Sequence, residues 1–87
     1  MNRLSRYKYL RSLGTTVSGK LLYLILSDIS DAEGTVIITQ RRLSEATGLC
    51  RQTVSRNLRR LRDGGYIRIS PRYHEDGGRA ANEYYVL

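Results

Sequence analysis

Apolar residues fall at helical spacing in three stretches of the chain and alternate with polar ones in a fourth, Tyr66 to Ile69. The clearest helical stretch runs from about Arg51 to Asp63, where Val54, Leu58 and Leu61 sit at i, i+4 and i+7. At about 100° per residue, the side opposite those three carries Gln52, Arg56, Arg59 and Asp63, with Thr53 and Arg60 on its flank. Just upstream, Leu43 and Ala46 mark the apolar face of a shorter helix that stops at Thr47-Gly48. Thr39 is its expected N-cap. Gly48 supplies the positive φ that lets the chain turn sharply, and Leu49 fills the corner. A third stretch carries Leu21, Leu22, Leu24, Ile25 and Ile29 as a broad apolar face, with Lys20, Ser27 and Asp28 on the wetter side. Ser18 is the expected cap of that helix, and its stripe reads as core packing, not as a cofactor pocket.

Strand signals flank these helices. Asp31 to Gly34 forms a turn, and the β-branched run Thr35 to Ile38 follows it. Gly64-Gly65 ends the last helix in the left-handed conformation, after which Tyr66 to Ile69 alternates as a strand that Pro71 stops. Arg72 to Ala81 is a polar loop containing Gly77-Gly78, and Asn82 to Leu87 is the returning strand. At the amino terminus, Leu4, Tyr7, Leu10 and Leu13 recur every third residue, a spacing that drifts around the surface of an α-helix. Residues 1–14 are therefore expected as a basic arm or a short helix, and residues 15–87 as the folded domain.

Composition narrows the partner. The 87 residues carry a formal charge of +7, which points to a polyanion. The apolar run Leu21 to Leu26 is far too short to span a bilayer, so no membrane is expected. One cysteine excludes an internal disulfide and a thiolate-rich zinc site. No other His or Cys lies near His74, so neither metal nor cofactor is expected. The seven tyrosines, with no Phe or Trp, suit a thin domain whose aromatic rings keep a hydroxyl at the surface. The carboxylates are scattered, no nucleophile–base pair stands out and no Gly-rich phosphate loop is present, so an enzyme is not expected.

Two helices joined by a tight Gly-containing corner, the second rich in Arg on its outer side, form a helix-turn-helix. A strand, loop and strand after it form a wing. The expected fold is α+β: a winged helix-turn-helix with a three-helix core, a small antiparallel sheet and a wing hairpin. The run Ile38 to Asp63, with Arg51-Gln52-Thr53-Val54-Ser55-Arg56 followed by Leu58 and Leu61, resembles the helix-turn-helix of the cyclic-AMP receptor protein family of bacterial transcription regulators. The segment Gly19-Lys20-Leu21-Leu22-Tyr23, with the acidic-Gly turn and Val36-Ile37-Ile38, is similar to the amino-terminal domain of plasmid replication initiators. The two resemblances cover residues 18 to 69.

Binding chemistry sorts the candidate residues. Arg51 and Arg56 carry planar forks that match O6 and N7 of guanine, and Gln52 donates and accepts at once, as adenine requires. The resemblance to the receptor-protein family implies the same three positions as base readers. Gln52 stands where the receptor protein has an acid, so a different base preference is implied there. Arg41, Arg42, Arg59 and Arg60, with the hydroxyls of Thr39, Thr53 and Ser55, are phosphate candidates. In the wing, Arg72, His74 and Arg79 are placed to reach the minor groove or the backbone. Cys50 occupies the N-cap of the recognition helix, where the resembling family usually has Ser. A thiol caps poorly. It reads either as a half-buried small residue or as a redox-sensitive thiolate favoured by the helix terminus.

The functional expectation is sequence-specific binding of double-stranded DNA by a small bacterial or mobile-element transcription regulator. It is cytoplasmic and nucleoid-associated, with no small-molecule ligand, and a homodimer remains open. The alternatives are the DNA-binding domain of a plasmid or phage replication initiator and, from another class, a winged-helix protein-interaction module. Initiators usually continue past the wing, so on that reading the chain is either autonomous or an excised domain.

Overall fold

The computed structural model describes residues 3–87. The side chains of Arg3, Ser5 and Arg6 lie outside the described residues, and with them much of the basic character expected of residues 1–14. A 3-10 helix, Arg3–Ser12, leads into helix α1 (Val17–Ile29), strand β1 (Thr35–Ile37), helices α2 (Gln40–Thr47) and α3 (Arg51–Asp63), and strands β2 (Ile67–Ser70) and β3 (Glu83–Val86). The sheet order is β1-β3-β2, antiparallel throughout. This is the expected α+β winged helix-turn-helix.

Leu22, Leu26, Leu43, Val54, Leu58, Leu61, Ile67 and Tyr84 form one buried cluster. The three inward positions expected on α3 are all in it. On α1 the buried pair is Leu22 and Leu26, four residues apart, whereas Leu21 and Ile29 are 37% and 48% exposed. Tyr23 and Ile25 are partly buried against the same cluster, so the core face of α1 is Leu22, Tyr23, Ile25 and Leu26. α3 packs along one side of α1; Leu21 lies about 100° off that line and stays wet, while Ile29 is in phase with Leu22 but is the last residue of the helix. Ala46 is also exposed. On α2 the inward partner of Leu43 is Thr47 at i+4, whose hydroxyl donates to the Leu43 carbonyl.

The caps show why the helices end where they do. Thr16, not Ser18, caps α1 and accepts from the Gly19 amide at 3.0 Å. Thr39 caps α2 as expected, accepting from the Arg42 amide at 3.1 Å. Gly48 takes φ 75° at the corner. At the end of α3 only Gly65 is left-handed, with φ 81°, while Gly64 stays right-handed. The Tyr66 amide donates to the Leu61 carbonyl and the Gly65 amide to that of Arg62, the six-to-one and five-to-two pair of a Schellman motif. Gly64 serves clearance instead: a Cβ there would lie 2.9 Å from the Tyr66 ring.

Tyr84 corrects the expectation that the tyrosines sit at the surface. It lies on the central strand opposite Val36 and Ile69 and is fully buried, its hydroxyl accepting from the Asn82 amide at 3.4 Å. Tyr9, Tyr23 and Tyr66 form a chain of ring contacts, with centroids 5.6 and 6.4 Å apart. The Tyr66 hydroxyl also accepts from the Gly14 amide at 2.8 Å. These contacts tie the amino-terminal helix to α1 and to the start of β2. The period-three spacing of Leu4, Tyr7, Leu10 and Leu13 fits that helix, because residues three apart eclipse one another in a 3-10 helix. Exposure falls along the row from 70% at Leu4 to 7% at Leu13.

Candidate nucleic-acid interface

Residue type and helical phase together decide what α3 presents. Its core side is Val54, Asn57, Leu58 and Leu61, all buried. Arg51, Gln52, Arg56, Arg59, Arg60, Arg62 and Asp63 are all exposed, while Thr53 and Ser55 are half-buried on the flanks. Among the described residues the ion pairs are Arg62 with Asp63 at 3.1 Å and Arg41 with Glu45 at 3.7 Å. Arg51, Arg56, Arg59 and Arg60 therefore crowd one helix with no counter-charge paired to them. Like charges at i, i+3 and i+4 repel, and a polyanion relieves that repulsion.

Asn57 anchors this helix to the rest of the domain. Its side-chain carbonyl accepts from the Thr16 hydroxyl, and its amide donates to the Thr53 carbonyl at 2.8 Å. Thr16 thus caps α1 and holds α3 with one hydroxyl. The apolar pattern gave no sign of this polar residue, because an Asn on a core-facing phase reads as a gap until its partners are seen.

The expected phosphate residues divide by place. Thr39 sits at the corner where α2 begins, with Arg41 and Arg42 exposed one turn on. The Arg41–Glu45 pair is an exposed i, i+4 contact, weak enough for a phosphate to replace. Arg60 lies apart from the others, lining a shallow cavity with Gly14, Thr15, Thr16 and Asp63 on the amino-terminal side of the molecule.

The wing is a closed loop. Tyr73 pairs with Arg79 across it, the Ala80 amide donates to the Arg72 carbonyl, and the Gly77 amide donates to the His74 carbonyl. Arg72, His74 and Arg79 are all exposed. Arg79, with Thr39, Gln40, Arg51 and Asn82, lines a cleft of about 360 Å³ between the wing and the start of α3. Residues from three separate stretches of sequence thus meet at one positively charged hollow.

Cys50 is exposed, which overturns the reading of a half-buried small residue. It caps α3 without a side-chain hydrogen bond to the helix amides. Its sulfur lies 3.1 Å from the Thr53 hydroxyl. That hydrogen bond holds the thiol pKa below its ordinary value.

Among the described residues no helix is long and apolar enough to cross a membrane, and no three His, Cys, Asp or Glu side chains gather where a metal would need them. Comparison with curated proteins and with solved structures gave no significant match. A model of the MarR family matches residues 23–79, which takes in most of α1, the helix-turn-helix, β2 and most of the wing loop. The winged helix-turn-helix resemblance thus holds, although the matching family is neither that of the cyclic-AMP receptor protein nor that of the replication initiators, and the initiator alternative is not favoured. With a guanidinium-lined helix facing outward, a wing beside it and this match over well over half of the chain, the protein belongs to the MarR family of winged-helix, DNA-binding transcription regulators.

Proposed function

We propose that the protein reads a specific double-stranded DNA site by inserting α3 in the major groove. Arg51, Gln52 and Arg56 contact base edges, and Thr39, Arg41, Arg42, Thr53, Ser55, Arg59 and Arg60 contact phosphates. Arg72, His74 and Arg79 of the wing lie along the neighbouring backbone or minor groove. The observation that carries this reading is the exposed, unpaired arginine side of α3. The protein acts as a regulator in the cytoplasm, without catalysis and without a small-molecule effector. It acts as a homodimer on a palindromic site, with half-sites about 34 Å apart. Residues 15–87 form the DNA-binding unit, and residues 1–14 an arm beside it.

Selection of bound sequences from a pool of random duplexes tests this reading. A preferred palindrome mapping to promoters is the expected outcome. An asymmetric site mapping to repeats at an origin would instead return the replication alternative. Reversing charge at Arg56 and Arg59 should abolish binding to any duplex at low salt. Retained binding in that variant, or none in the unaltered protein, would leave the outward face of α3 as a docking surface for another protein.

A further inference from the structure

Asn82 stands just before β3 at the seam between the wing and the helix-turn-helix. Its side-chain carbonyl accepts from Nη2 of Arg79 at 3.2 Å, and its amide donates to the hydroxyl of Tyr84 at 3.4 Å. Its backbone carbonyl accepts from the Ile38 amide at 3.3 Å, next to the Thr39 cap of α2. Tyr84 is fully buried in the core cluster. A surface arginine on a glycine-containing loop is thereby linked through one amide to a fully buried side chain of the core.

The consequence concerns the cleft of about 360 Å³ that Arg79 lines. Arg51, Thr39 and Gln40 line the same cleft. Thr39 accepts from the Arg42 amide, which leaves its hydroxyl proton free to donate. The cleft thus offers a guanidinium fork, a hydroxyl and an amide, with a second guanidinium nearby. That donor set suits a tetrahedral dianionic or monoanionic oxygen group, and on a duplex the group is a backbone phosphate.

The geometry points to Asn82 as a positioning residue. It holds Arg79 so that one backbone phosphate of bound duplex is gripped between the wing and the start of the helix-turn-helix, and the buried Tyr84 hydroxyl fixes the orientation of its amide. A lone arginine on a mobile loop loses side-chain freedom on binding, whereas one already tethered loses less. Asn82 acts only through Arg79 and touches no DNA itself.

This inference rests on the DNA-binding reading, and its test keeps the two apart. Binding of a short random-sequence duplex is measured over a salt series for the unaltered protein, Arg79→Ala, Asn82→Ala and the double variant, with Tyr84→Phe as a second probe of the tether. Arg79→Ala should lose one phosphate contact and so flatten the log–log salt slope by about 0.9. Asn82→Ala should weaken binding about tenfold, and Tyr84→Phe should weaken it less. In the Arg79→Ala background, Asn82→Ala should have no further effect. Each variant is checked for an unchanged thermal transition, and Tyr84→Phe answers the question if Asn82→Ala unfolds. Additive effects of the two substitutions, or full-strength binding by Asn82→Ala, would overturn the tether while leaving DNA binding intact. No binding by the unaltered protein would overturn the underlying reading instead.

Discussion

At Cys50 the chain places a poor cap at the start of its most highly charged helix. The sulfur makes no hydrogen bond to the first-turn amides and contacts Thr53 instead. Replacing it with Ser supplies the missing acceptor and should stabilise the domain by about 0.5–1 kcal/mol, read as a rise in thermal midpoint of roughly 2–8 °C. The thiol has a second, separable property. The Thr53 hydroxyl stabilises the thiolate more than the thiol and so lowers the pKa. In Thr53→Val that stabilisation is gone, the pKa rises, and less thiolate is present at a given pH. Alkylation of Cys50 should therefore slow at neutral pH, and its rate-versus-pH curve should move to higher pH. An unmoved curve would show that the Thr53 hydroxyl does not set the acidity. Asn57 is the residue where polarity was spent in the core. Its link to Thr16 and to the Thr53 carbonyl joins α1 to α3, and Asn57→Ala should cost about 2 kcal/mol. Urea unfolding should show a lower midpoint with an unchanged slope.

At the scale of elements, α2 and α3 owe their mutual angle to a short stretch of irregular chain. Gly48 turns with a positive φ, the Ser44 hydroxyl donates to the Leu49 carbonyl, and the Leu49 amide donates to the Thr47 hydroxyl. Leu43 is the side chain that α2 contributes to the buried cluster, so the helix has little else to hold it. Leu43→Ala should destabilise by about 2–5 kcal/mol. Because α2 carries Thr39, Arg41 and Arg42, DNA binding at temperatures below the new midpoint should weaken too. Amide exchange concentrated in α2, with α1 and α3 still protected, would show that the helix detaches locally. The sheet is bound differently. Tyr84 on the central strand touches both edges through Val36 and Ile69, which is how a three-residue β1 persists beside a loop as long as the wing.

For the whole molecule the governing quantity is charge. A net +7 on 87 residues, with arginines concentrated on α3 and at the wing cleft, makes association with DNA strongly dependent on salt. If about six phosphates are neutralised, log Kd should rise against log salt with a slope near about 5. A shallow slope near zero would mean that the arginine face does not meet the duplex. Charge of this kind also raises the association rate at low ionic strength, which stopped-flow mixing at two salt concentrations would show.

The division of labour between sequence and fold follows from the range of the interactions involved. Val54, Leu58 and Leu61 repeat at a local period, and Thr39, Gly48 and Gly65 act on their immediate neighbours, so α2, α3 and the winged class were legible in the chain itself. The outward phase of Arg56 and Arg59 followed from the same period. Other features needed partners remote in sequence. Thr16 displaced Ser18 as a cap because Asn57, on another helix, holds its hydroxyl. Tyr84 went to the centre because β1 and β2 close on β3 from either side. The cleft joining Thr39, Arg51 and Arg79 exists only once the wing folds back beside the helices. Periodicity encodes which side of an element is wet. Which wet side chains meet one another depends on how the elements dock, and no local pattern carries that.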